Sequence, residues 1–72
     1  MNAGMRLITY QALLSNPHNV ARVQAARGEV ERLGGRLSVA PPSKVGMVLV
    51  LLELPEAYRP EQVFPGMPFY PA

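Results

Sequence analysis

Read as a string of apolar and polar positions, the chain changes period several times. Over residues 5–14, MRLITYQALL, the residues Leu7, Ile8, Thr9 and Tyr10 favour extended backbone, with Ile8 and Tyr10 on the face opposite Leu7 and Thr9. This predicts a first strand. From residue 17 the period lengthens. Val20, Val23, Ala26, Val30 and Leu33 recur at steps of three and four, the single apolar stripe of an amphipathic helix. Asn16 is a good N-cap for it, and Pro17 suits the first helical position, where a missing N–H costs no intrahelical bond. Gly34 and Gly35 stop the helix, because glycine takes up the left-handed conformation that closes a helix at low cost. The predicted helix covers residues 17–33.

Alternation then returns. RLSVA, residues 36–40, places Leu37 and Val39 on one face and reads as a half-buried strand. PPSK turns the chain, since Pro41 and Pro42 cannot donate to a ladder. VGMVLVLLEL, residues 45–54, is apolar on both faces: Val45, Met47, Leu49 and Leu51 on one, Val48, Val50, Leu52 and Leu54 on the other. A strand of this kind belongs in the middle of a sheet, between the other two. One helix covers only one face of a small sheet. Four aliphatic side chains left on the other would forgo on the order of 6–12 kcal/mol of burial, comparable with the stability of a small domain. The second face therefore calls for a cover: the carboxy-terminal segment, a second subunit, or both.

That segment, PEAYRPEQVFPGMPFYPA, holds five of the eight prolines, with Tyr58, Val63, Phe64, Met67, Phe69 and Tyr70 between them. Proline-rich extended chain with aromatics loses little entropy on docking and fits a groove or a neighbour's surface. The expected organisation is a β-α-β-β domain over residues 1–54 and an extended Pro/aromatic-rich arm over 55–72. The fold class is α+β, with one helix on a small three-stranded sheet.

The passage EVERLGGRLSV, a helix closed by two glycines and followed by a strand, is similar to a pattern in ferredoxin-like domains, among them the pro-peptides of subtilisin-like proteases and small ligand-sensing domains. The likeness covers residues 5–54. It implies half of a ferredoxin-like fold, because the second helix and fourth strand of such domains have no counterpart here. No functional residue is carried over with it.

Composition narrows the chemistry. With 72 residues and no cysteine, the chain has neither disulfides nor thiolate metal ligands to reinforce it, which leaves oligomerisation as the expected support. The absence of cysteine fits a reducing compartment. The amino terminus lacks a signal-peptide pattern, and the apolar run at 45–54 is far short of the roughly 20 residues that span a bilayer. A cytoplasmic protein away from membranes is expected.

The net charge of +2 and the mixture of Glu29 and Glu31 with Arg22, Arg32 and Arg36 argue against a nucleic-acid surface. His18 has no partner nearby in sequence that would make it a general base. The glycines of LGGRL end a helix, whereas a phosphate loop opens one. Ser15, Ser38 and Ser43 lack a nucleophile-elbow context. Neither His18 nor the five glutamates have metal-ligand spacing.

The expectation is a small non-enzymatic protein without cofactor, metal or catalytic residue, which assembles with itself as a homodimer or larger ring. Its interaction residues are read as Val48, Val50, Leu52, Tyr58, Phe64, Met67, Phe69 and Tyr70. A small-ligand or peptide sensor with an intersubunit pocket near Tyr10, Tyr58, Phe64 and Tyr70 is the alternative, as is a protease-inhibitor-like module that acts on another protein.

Overall fold

The computed structural model describes residues 6–72; Met5, the first position of the predicted strand, lies outside them. The elements run β1 (Leu7–Leu14), α1 (Pro17–Ala25), α2 (Arg27–Arg32), β2 (Arg36–Val39), β3 (Val48–Pro55), α3 (Pro60–Val63) and β4 (Tyr70–Pro71). They form an α+β domain with one sheet of four strands, in the order β2-β3-β1-β4, every neighbouring pair antiparallel. The doubly apolar strand β3 lies between β1 and β2, as its composition requires.

The helix begins where the sequence indicates. The Asn16 side chain accepts a hydrogen bond from the His18 backbone N–H at 2.8 Å, with Pro17 at the first helical position. Asn16→Ala is expected to cost about 1 kcal/mol, read as a lower denaturant midpoint with an unchanged slope. It ends as a Schellman motif. Gly34, at φ +89°, donates to the Glu31 carbonyl at 3.0 Å, and Gly35 donates to the Val30 carbonyl at 2.9 Å.

The expected single helix is bent. At Ala26 (φ −92°, ψ 6°) the N–H is shared between the carbonyls of Arg22 and Val23, and α2 starts afresh. Gly28 in the first turn of α2 weakens local helix preference relative to alanine. Both segments face the sheet, with Val23 and Val30 wholly buried. The Arg27 guanidinium donates to the Leu37 carbonyl at 2.7 Å, tying α2 to the outer strand of the sheet.

The turn after β2 runs longer than PPSK. Ser43 N–H donates to the Met47 carbonyl at 2.8 Å, and Ser43 Oγ accepts from the Met47 N–H at 3.1 Å, so β3 starts only at Val48.

The sheet has four strands rather than three because the carboxy-terminal segment returns to it. Residues after Pro55 are not extended throughout: α3 is a single turn, entered with Arg59 N–H donating to Gln62 Oε1 at 2.6 Å. Phe64 then enters the core, its ring centroid 5.3 Å from that of Phe69. β4 pairs with β1 through Tyr10↔Pro71 and Gln11↔Tyr70, and Ala72 N–H donates to the Thr9 carbonyl at 3.0 Å. The core on the helix side comprises Ala12, Leu14, Val23, Val30, Leu37, Val48, Val50, Leu52, Leu54 and Phe64.

Candidate functional site

Alternation along β1 and β3 divides their side chains between two surfaces. On β3, Val48, Val50, Leu52 and Leu54 are buried toward the helices, while Leu49 and Leu51 point the other way and remain 40% and 38% exposed. On β1, Ala12 and Leu14 go inward and Leu13 outward, at 50% exposure. Directly opposed residues in an antiparallel pair share a face. Leu13↔Leu49, Gln11↔Leu51 and Gln11↔Tyr70 therefore bring four apolar side chains around one amide on the sheet face away from the helices.

No described element covers this face. Leu13, Leu49, Leu51 and Tyr70 together leave roughly 350 Å² of apolar surface open, within the size range of the largest and often functional patch on a monomer. Along the same face lie Thr9, Ser38, Arg36 and Glu53, with Leu7 at the far end, 44% exposed. Arg36 Nε stands 3.8 Å from Glu53 Oε1 in an exposed pair, which contributes little to stability but makes this end polar. An apolar centre with a polar margin is the ordinary anatomy of a protein interface.

The residues expected from sequence to form the interaction surface are placed differently. Val48, Val50 and Leu52 lie beneath the helices and not on the open face. Their alternation was legible, but with both faces of β3 apolar it did not say which one the helices would take. Phe64 is buried in its own domain, and Tyr58, Met67 and Phe69 pack against the same core. Only Tyr70 reaches the open face, at 50% exposure. Leu7, Gln11, Leu13, Leu49 and Leu51 are the positions the site gains. Leu49 and Leu51 carried a signal in the two-sided pattern of β3, whereas Leu13 carried none, since it continues the line of polar Thr9 and Gln11.

The four residues expected around an intersubunit pocket, Tyr10, Tyr58, Phe64 and Tyr70, do not all share one face of the chain. Tyr10 packs on the core side, while Tyr70 sits on the opposite face of the sheet. A cavity of about 250 Å³ lies elsewhere, between α1 and the turn after β2, lined by Pro17, Val20, Ala21, Pro42, Gly46 and Val48 with Ser15 and Gln24 at its polar points. It holds no charged side chain. Among the described residues no group of three His, Asp or Glu side chains could hold a metal ion, and no helix is long and apolar enough to cross a membrane. His18 is exposed at the start of α1, engaged only through its backbone N–H.

Compared with models of known protein families, with curated proteins and with solved structures, the chain matches none.

Proposed function

We propose that this protein is a small non-enzymatic interaction or scaffolding protein that assembles with itself through the open sheet face, to which the carboxy-terminal segment contributes Tyr70. The observation that carries this reading is the adjoining set Leu13, Leu49, Leu51 and Tyr70 on a face with no described cover. Two copies packed face to face would bury roughly 700 Å² from these four side chains alone, and the polar margin adds to this toward the roughly 1,200 Å² at which standard specific interfaces begin. Packed sheets interdigitate their side chains across a layer of about 10 Å, so leucines and a tyrosine on each side can fill it. The same reading takes β1, the bent helix, β2 and β3 as half of a ferredoxin-like unit. What supports it is the central place of β3 between two strands joined by a helical connection.

The test is solution mass by light scattering, on the full chain and on Leu49→Lys/Leu51→Lys. The full chain is expected to be a discrete oligomer. The double variant is expected to be a folded monomer, since two desolvated ammonium groups at the centre of an interface are prohibitive while the same groups on an open face are harmless. A wild-type chain of monomer mass would sink the proposal.

A further inference from the structure

The alternation of hydrogen bonds in the sheet fixes which backbone groups of its outer strand stay open. Ala40 N–H donates to the Leu49 carbonyl at 3.0 Å, so Arg36, Ser38 and Ala40 turn their backbone groups toward β3. The N–H and C=O of Leu37 and Val39 therefore point away from the sheet. Such a row is a template for another strand. Here it is short and closed at both ends. The Gly35 N–H is engaged by the Val30 carbonyl at 2.9 Å, and Pro41, two residues beyond Val39, has no N–H to offer. Between these ends the Leu37 carbonyl accepts from the Arg27 guanidinium at 2.7 Å, in a part-buried bond from the start of α2. Among the described residues no hydrogen bond reaches the Leu37 N–H or either group of Val39. The opposite edge is treated alike. Ala72 N–H donates to the Thr9 carbonyl and Tyr70 pairs with Gln11, which leaves Pro71, again without a donor, as the outward position of β4.

The strand that matches this open edge is β2 itself. Two copies laid antiparallel about a two-fold axis at Ser38 set Leu37 of each opposite Val39 of the other, and each such pair exchanges both of its N–H···O bonds. The side chains agree as well, since Leu37 and Val39 both belong to the helix side of the sheet. Arg27 opposes this arrangement in two ways. Its guanidinium occupies the approach to the Leu37 carbonyl, which the Val39 N–H of the other copy would need. It also brings one guanidinium from each copy to the same short seam, where like charges repel and lose water. We infer that Arg27 is a guard on the outer edge of β2: its guanidinium on the Leu37 carbonyl keeps the sheet from being extended by another strand, above all by β2 of a second copy. The device belongs to the edge of the sheet, and it stands whether or not the open face is an interface.

Arg27 is exposed at the first position of α2, where alanine suits a helix, so Arg27→Ala is expected to keep the fold by circular dichroism. Its mass by light scattering over a concentration series is compared with that of the chain that keeps Arg27. As concentration rises, Arg27→Ala is expected to approach about twice the parent mass, because two antiparallel edges close a two-fold contact. Amide hydrogen exchange locates that contact. The Leu37 and Val39 N–H groups, which point outward in the parent, are expected to exchange at least about tenfold more slowly as the mass rises. An Arg27→Ala chain whose mass never departs from the parent overturns the inference. So does one that unfolds, which would make the Arg27 bond a structural tie, and so does association that leaves the Leu37 and Val39 amides exchanging as before. Each mass is read against its own Arg27 parent, in the wild-type chain and again in Leu49→Lys/Leu51→Lys. A wild type of monomer mass therefore sinks the reading of the open face and leaves this comparison intact.

Discussion

Phe64→Ala is expected to bring the domain close to unfolding. The side chain is 2% exposed, belongs to the same core cluster as Val50, Leu52 and Leu54, and packs on Phe69. Truncating a buried phenylalanine costs about 3–5 kcal/mol, transfer and cavity together. A chain of this length has a total stability of roughly 4–11 kcal/mol. The melting midpoint should therefore fall by more than about 12 °C. The backbone around it adds a second signature. Phe64 N–H donates to the Pro60 carbonyl at 2.8 Å and its own carbonyl accepts from Met67 at 3.1 Å, so loss of the anchor frees the segment that carries β4. Limited proteolysis of Phe64→Ala should cut first after Pro55, at temperatures where the parent chain resists. A chain ending after Leu54 should lose the fold altogether, because it discards the Phe64 plug together with the cover on the edge of β1. A Phe64→Ala chain that melts within 2–3 °C of the parent, on the scale of about 4–8 °C per kcal/mol for a domain of this size, would mean that the tail is an appendage.

The second large effect is Gly35→Ala. A Cβ there would press into the Glu53 carbonyl oxygen of β3 and meet Val30 Cγ1 at 3.1 Å and Leu54 Cδ2 at 3.2 Å. The oxygen belongs to a sheet backbone and cannot rotate aside as the end of a flexible side chain could. Relief requires the α2–β2 junction to move, which would break the Gly35-to-Val30 hydrogen bond closing the helix. A loss of about 2–4 kcal/mol is expected, at or above the upper end of ordinary overpacking because the obstacle is main chain. Gly28→Ala makes the contrast. Nothing lies within 4 Å of a Cβ at that position, in the first turn of α2, and a gain of up to about 1 kcal/mol is expected there. Urea titration of the two variants side by side separates them by sign. A neutral Gly35→Ala would show that the junction gives way easily.

These two variants probe what different levels of organisation contribute. The helix was written locally: the valine stripe, the Asn16–Pro17 start and the Gly34–Gly35 stop all act within a few residues, and the structure realises each of them. Strands β1, β2 and β3 were legible from alternation, and the central place of β3 from its two apolar faces. The bend at Ala26 was not, because the apolar stripe continues through it unbroken.

The tail departs from a uniformly extended arm for a related reason. Five prolines forbid long regular elements, but they do not forbid a four-residue helical turn at Pro60–Val63 or a two-residue strand at Tyr70–Pro71. Whether Phe64 turns into its own core or out to a neighbour is a question of distance between segments remote in sequence. By itself, then, the sequence determined the kinds of element, their order and the excess of apolar surface over what one helix can cover. Only the tertiary structure decided which face of β3 the helices take, that Phe64 completes the core, and that Leu13, Leu49, Leu51 and Tyr70 meet around Gln11. Period-two alternation assigns side chains to two faces, but only packing between distant segments decides which of the two is inside.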